Sequence, residues 1–146
     1  MAGKNLVYLF LCRAKERKRL IEKINNKYPN IRVVDIGCSG RFNPEYALKL
    51  INKGANGVLI LGCTPADCIY REGSLISERR LFLAKKILSG FGLNEEKLQV
   101  MWHKINEIEP VLKEIDKFMN EVTAIKDKEG VEKVWLIKSK RMLKFF

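Results

Sequence analysis

Short, unbroken apolar runs set apart by longer amphipathic stretches constrain this chain more than any other feature. Leu6-Val7-Tyr8-Leu9-Phe10-Leu11 and Gly57-Val58-Leu59-Ile60-Leu61-Gly62 are too short for buried helices and lack the alternation of half-exposed strands, so they read as strands covered on both faces. Ile31-Arg32-Val33-Val34-Asp35-Ile36 is a β-branched strand, and Leu98-Gln99-Val100-Met101-Trp102 reads as a fourth. Between them lie helical patterns. Residues 13–27 carry seven basic and two acidic side chains around a sparse apolar face of Leu20, Ile21 and Ile24, predicting a helix with a basic outer face. Asn43-Pro44-Glu45 supplies an N-cap, a proline at the first helical position and an early acid. Ala47, Leu48, Leu50 and Ile51 give that helix a buried face, and Gly54 is placed to end it. Ser77 is expected to cap a third helix with apolar positions at Leu81, Ala84, Leu88 and Phe91, and a fourth spans about Glu109–Val122. Four strand–helix alternations call for an α/β fold: a single three-layer domain with a mainly parallel sheet of four or five strands, Rossmann- or flavodoxin-like.

The chain's 146 residues suit one domain, expected over 1–125, followed by a basic and apolar C-terminal extension over 126–146. In that extension, residues 133–146 hold five basic side chains and no acidic ones, interleaved with Trp135, Met142, Phe145 and Phe146. They read either as an edge strand with a frayed end or as a docking segment. Lys plus Arg is 28 against 17 Asp plus Glu, a net charge of +11, which favours an acidic protein surface or nucleic acid as partner. The basic helix lacks interleaved aromatics and any recognisable nucleic-acid motif, so nucleic acid is the weaker of the two. No apolar run approaches the roughly 20 residues of a membrane span, and the first ten residues are too short for a signal peptide. The expectation is a soluble, cytoplasmic protein.

In such a compartment four cysteines do not form a disulfide framework. Cys12 ends the first strand, Cys38 follows the second, and Cys63 follows the third with Cys68 five residues on. Strand carboxyl ends in a parallel sheet share one edge, where ligands bind, so the four thiols are expected on one rim. Flanking Gly37, Gly40 and Gly62 would let the backbone come close to a bound group. Four converging thiolates suit zinc or an iron–sulfur cluster; the bland alternative is that two or three are inert core thiols. Other chemistries are missing. A Cys-x5-Arg phosphatase loop is excluded by Lys18 and Pro44, His103 is a lone histidine suited to core or surface, and no Ser/His/Asp set or dinucleotide fingerprint occurs. Catalysis by this chain alone is not expected.

Cys38-Ser39-Gly40-Arg41, Gly54-Ala55-Asn56-Gly57-Val58, Gly62-Cys63-Thr64-Pro65-Ala66-Asp67-Cys68-Ile69-Tyr70, Gly73 and Glu78-Arg79-Arg80 follow one another in an order and spacing that resembles the delta subunit of methyl-viologen-reducing hydrogenase, the hydrogenase iron-sulfur subunit family. The resemblance covers roughly residues 5–122. It implies a non-catalytic electron-transfer subunit carrying a [2Fe–2S] cluster with Cys12, Cys38, Cys63 and Cys68 as ligands. The surrounding motif residues Gly37, Ser39, Gly40 and Gly62 would contact the cluster, glycine amides donating to its sulfurs, and Arg41 would favour its reduced form. The implied partners are a hydrogenase or formate dehydrogenase and the flavin subunit of heterodisulfide reductase within a larger redox complex. The chain departs from the family where Leu11-Cys12-Arg13-Ala14-Lys15 replaces a Cys-Cys-Asn-Trp-Cys run, and where Thr64, Ala66 and Ile69 replace His, Gly and His. A scaffold of the same fold, with zinc or free thiols, is the rival reading.

Overall fold

The computed structural model describes residues 5–125. Strands β1 (Val7–Cys12), β2 (Ile31–Gly37), β3 (Gly57–Gly62) and β4 (Leu98–Trp102) alternate with helices α1 (Lys18–Lys27), α2 (Pro44–Asn52), α3 (Gly73–Gly90) and α4 (Glu109–Ala124). All strand pairs are parallel, in the order β2-β1-β3-β4. The alternation of strand and helix thus gives the α/β architecture expected. A fifth strand and the C-terminal extension both concern residues outside the described ones.

Side-chain alternation along the central strands divides the core into two layers. Val7, Leu9 and Leu11 of β1 and Leu59 and Leu61 of β3 meet Leu20 and Ile24 of α1 and Val111, Ile115 and Phe118 of α4. Phe10, Val58 and Ile60 point the other way, onto Ala47 and Ile51 of α2 and Leu81, Ala84 and Leu88 of α3. Every residue of β3 is buried, which is why its sequence shows no polar face. From β1 the chain steps outward to β2 on one side, and from β3 to β4 on the other. The reversal leaves a crevice at the carboxyl ends of β1 and β3, the topological switch point where doubly wound sheets bind ligands.

Two helix boundaries differ from the sequence reading. Ser77 does not cap α3: the helix begins four residues earlier at Gly73, and Ser77 is buried inside it. The start is set by tertiary packing of Gly73 against the cysteine loops, described below, which local capping signals do not encode. The basic segment is also broken. Ala14–Glu16 forms a 3-10 turn, and Arg17 turns into the protein before α1 begins at Lys18. Asn43, by contrast, caps α2 as expected, accepting a hydrogen bond from the Glu45 N–H at 3.0 Å.

Helices α1 and α4 are tied side by side. The Tyr28 hydroxyl donates to the Asp116 carboxylate, and Lys27 Nζ lies 2.9 Å from the same carboxylate. Lys23 Nζ pairs with Glu109 at 3.1 Å, so α4 neutralises part of the basic face of α1. The hydrogen bond from Tyr28, then that from Lys27, holds the Asp116 carboxyl below its ordinary range. A carboxyl depressed in the folded state stabilises the protein above its unfolded value, about pH 4, and loses that contribution as pH falls through the lower folded value. We therefore expect Asp116→Asn to weaken the protein at pH 7 while narrowing its stability difference from wild type below about pH 3. Urea unfolding at a series of pH values measures this; parallel curves for the two proteins would count against it.

Candidate metal centre

The structure brings the four cysteines to the switch point. All are buried, and all line one pocket together with Arg13, Gly37, Ile69 and Tyr70. Cys12, Cys63 and Cys68 pack against one another, with Ile105 beside them. Cys38 completes the set from the end of β2: a Cβ placed on Gly73 would stand 2.7 Å from Cys38 Sγ and 3.3 Å from Cys68 Sγ. A side chain on Gly73 would therefore displace the Cys38 sulfur from its place in the set.

A glycine pair fixes this arrangement. A Cβ on Gly40 would meet the Gly73 Cα at 2.9 Å, so the turn after Cys38 rests directly on the first residue of α3. Arg80, one helical stretch further on, clamps the same turn by donating from Nη1 to the Gly40 carbonyl at 2.8 Å. The Cys-Ser-Gly-Arg motif and the distant Gly73 are thus two halves of one contact.

Electrostatics distinguish the thiols. The start of α3 and the turn before it aim the backbone N–H groups of Tyr70, Gly73 and Ser74 at Cys68. Burial raises the Cys68 thiol, but these donors, with the Cys63 thiol, outweigh burial and bring it below the ordinary cysteine value. Cys63 has no such support; burial, then the neighbouring Cys12 and Cys68, pushes it up to about 12.

Two arginines that sequence reasoning passed over stand at this site. Arg13 lines the pocket, donates from Nη1 to the Asp67 carbonyl at 3.1 Å, and pairs with Glu16. Arg17 is 1% exposed and donates to the carbonyls of Cys12 at 3.2 Å, His103 at 3.1 Å and Lys104 at 3.5 Å. Among the described residues no carboxylate pairs with it. It ties the end of β1 to the loop after β4 from behind the thiols. Arg41, proposed from the sequence as the cluster's cation, is exposed on the 3-10 turn and is not among the pocket's lining residues.

The remaining motif residues have mixed roles. Gly37 lines the pocket at φ +69°, but its N–H is bonded to Asp35 Oδ1 at 2.8 Å rather than aimed at sulfur. Gly62 is required by packing, since a Cβ there would strike the Trp102 ring at 2.1 Å. Ser39 is buried beside it, its Oγ 3.3 Å from the same point. His103 is a core residue after β4, its Nδ1 3.0 Å from Glu107 Oε2.

Whether these residues suit a metal group depends on donors and on spacing. The donor set fits a thiolate-ligated centre: four cysteines, no competing carboxylate or imidazole in the lining, and amides directed at one sulfur. The spacing is closed. The cavity between the thiols is about 10 Å³, the room of one water-sized sphere, and no three Cys, His, Asp or Glu side chains among the described residues stand as a ready metal site.

A doubly wound α/β domain with cysteines from three strand ends at its switch point defines the class of protein. Its family follows from comparison: the family model for the methyl-viologen-reducing hydrogenase delta subunit matches residues 7–126, and the chain belongs to that family. One component of the ferredoxin/F(420)H(2)-dependent CoB-CoM heterodisulfide reductase from Methanosarcina acetivorans is 35% identical over 100 residues, 68% of this chain and 13% of that protein. The iron-sulfur subunit of the F420-non-reducing hydrogenase from Archaeoglobus profundus is 38% identical over 74 residues, 51% of this chain and 54% of the relative. The iron-sulfur subunit of the F420-non-reducing vhu hydrogenase from Methanocaldococcus jannaschii is 32% identical over 108 residues, 71% of this chain and 75% of the relative. The chain thus spans only a small part of the reductase component and half to three quarters of the hydrogenase subunits.

Three substitutions at two positions test the geometry. Gly→Ala inside a helix ordinarily gains about 0.5–1 kcal/mol. At Gly73 the new methyl would overlap Cys38 Sγ, so we expect Gly73→Ala to destabilise instead, by about 1–3 kcal/mol in urea unfolding. Arg17→Met would strand at least two buried carbonyls at about 1–3 kcal/mol each, and Arg17→Lys should recover part of the loss. Equal midpoints for Arg17→Met and wild type would contradict the anchoring role.

Proposed function

We propose that the chain is a non-catalytic electron-transfer subunit of a larger redox complex, holding one [2Fe–2S] cluster on Cys12, Cys38, Cys63 and Cys68. The observation that carries this reading is the convergence of all four cysteines, from three strand ends, on one buried pocket at the switch point. Relatives named as hydrogenase iron-sulfur subunits and as heterodisulfide reductase subunits support the iron–sulfur link and the kind of complex. The proposed partners are accordingly a hydrogenase or formate dehydrogenase on one side and a heterodisulfide-reductase flavin subunit on the other. When bound, such a cluster supplies a one-electron redox centre.

The chain's own residues do the rest. Amides of Tyr70, Gly73 and Ser74 stabilise sulfur charge at Cys68, the task the sequence assigns to Gly37, Gly40 and Gly62. Arg17, held behind Cys12, places a buried positive charge beside the site, and Arg13 adds another at its mouth. Both oppose the negative charge gained on reduction, the part first given to Arg41. Gly62 leaves room for the Trp102 ring on the end of β3, with Ser39 Oγ close beside it.

Anaerobically isolated protein is expected to contain about two iron and two acid-labile sulfides per chain. Cys63→Ser and Cys68→Ser should each lose most of that iron. Cys12→Ser decides the fourth ligand, because the family's cysteine-rich run is missing around it; unchanged iron and spectrum there would assign that position to another group. Zinc in place of iron in the wild-type protein would move the chain to the scaffold reading.

A further inference from the structure

Helix α3 is apolar on two faces. Leu81, Ala84 and Leu88 bury one against the sheet. At 3.6 residues per turn, Leu75, Ile76, Phe82, Leu83 and Ile87 fall on the outward arc, and all five are exposed, Phe82 at 65% and Leu83 at 61%. Nothing in the described residues covers them. Ile69 and Tyr70, 66% and 65% exposed, extend this surface to the pocket, whose lining they share with the cysteines. Contiguous exposed apolar surface of this kind marks an interaction site.

Charge selects the occupant. Arg79 and Lys86 run down the middle of the arc between the two apolar stripes, with Arg80 at one border and Arg71 near the pocket; all four are exposed. The acids of the segment, Glu72 and Glu78, lie off the arc, Glu78 beyond Phe82 and Glu72 ahead of the helix. A second copy pairing through α3 would set Arg79 and Lys86 against their own equivalents. A protein that opposes apolar side chains to Phe82 and Leu83 and carboxylates to Arg79 and Lys86 satisfies both features.

We propose that the outward face of α3, from Ile69 to Ile87, is the docking surface for an acidic protein partner, which thereby covers the mouth of the cysteine pocket. The inference rests on the electron-transfer reading for its purpose: Ile69 and Tyr70 make this face the short way between the thiols and a docked protein. It differs from the surfaces that sequence charge suggested. On α1, two lysines are already paired with α4, and the C-terminal segment lies outside the described residues.

The test uses the full chain, tagged and isolated anaerobically from the producing organism within its assembly. Treatment with a carbodiimide, which joins an amine to a carboxylate only in direct contact, is expected to link Lys86 to aspartates or glutamates of a stoichiometric partner. The double variant Phe82→Asp/Leu83→Asp changes exposed positions that cost little stability, so it should fold and keep its iron. It is expected to recover at least about tenfold less of that partner. Wild-type recovery by the variant overturns the proposal, as do links joining Lys86 to a second copy, absence of any stoichiometric partner, or a wild-type chain that instead floats with phosphatidylglycerol vesicles. The two readings fail separately. An iron-free chain that still binds its partner through α3 removes the cluster, and an iron-loaded variant that keeps its partner removes the docking face.

Discussion

The parallel pairing of β1 with strands on both sides is the constraint on which the site depends. Because β1 joins β2 at one edge and β3 at the other, the chain must leave β1 and β3 in opposite directions, and their carboxyl ends bound an open crevice. Cys12 and Cys63 are delivered to its two sides by the strands themselves. Cys38 arrives at the same level because β2 is in register with β1, apart from a shift that sets Cys12 opposite Gly37. Convergence of Cys12, Cys38 and Cys63 is therefore a consequence of sheet topology, and the loop from β3 to α3 adds Cys68.

What topology does not supply is depth, and there the glycine contacts decide. Gly40 against Gly73 lets the β2 loop and the start of α3 meet at backbone distance, and Gly73 leaves just the volume that the Cys38 and Cys68 sulfurs occupy. The same contact fixes where α3 begins, hence which amides face Cys68. Arg17 performs the matching task on the other side, holding the ends of β1 and β4 through their carbonyls while keeping a buried positive charge near the thiols. The site is electropositive: N–H donors face Cys68, the Arg13 guanidinium lines the pocket, and no carboxylate is in the lining.

Much of this was legible in the chain. The strands were readable because burial on both faces removes every polar residue, as in β3, and α2 because its cap is local. The start of α3 was not, since Ser77 imitates a capping residue while the true start is set by a thiol contact with residues some thirty positions away. In the sequence Arg17 belongs to a solvated basic face, because arginine is seldom fully buried and its partners are carbonyls that no motif marks. Arg41 attracted a role through its place in a motif, whereas Arg13, at the site of the missing cysteine-rich run, lines the pocket. Gly62 belongs to the same lesson, since the group that approaches it is the Trp102 ring. Helix α3 carries apolar residues on two faces, and the stripe expected from spacing, Leu81, Ala84 and Leu88, is the one that the sheet buries.

Electron transfer by this chain, as proposed, needs a one-electron centre on the four cysteine sulfurs of the pocket. Electron paramagnetic resonance of the anaerobically isolated chain, before and after reduction by dithionite, tests it most directly. A [2Fe–2S] cluster would give a silent oxidised state and, on reduction, a spin-one-half signal integrating to about one spin per chain. A chain that stays silent after reduction and contains zinc, or holds no metal at all, would contradict it.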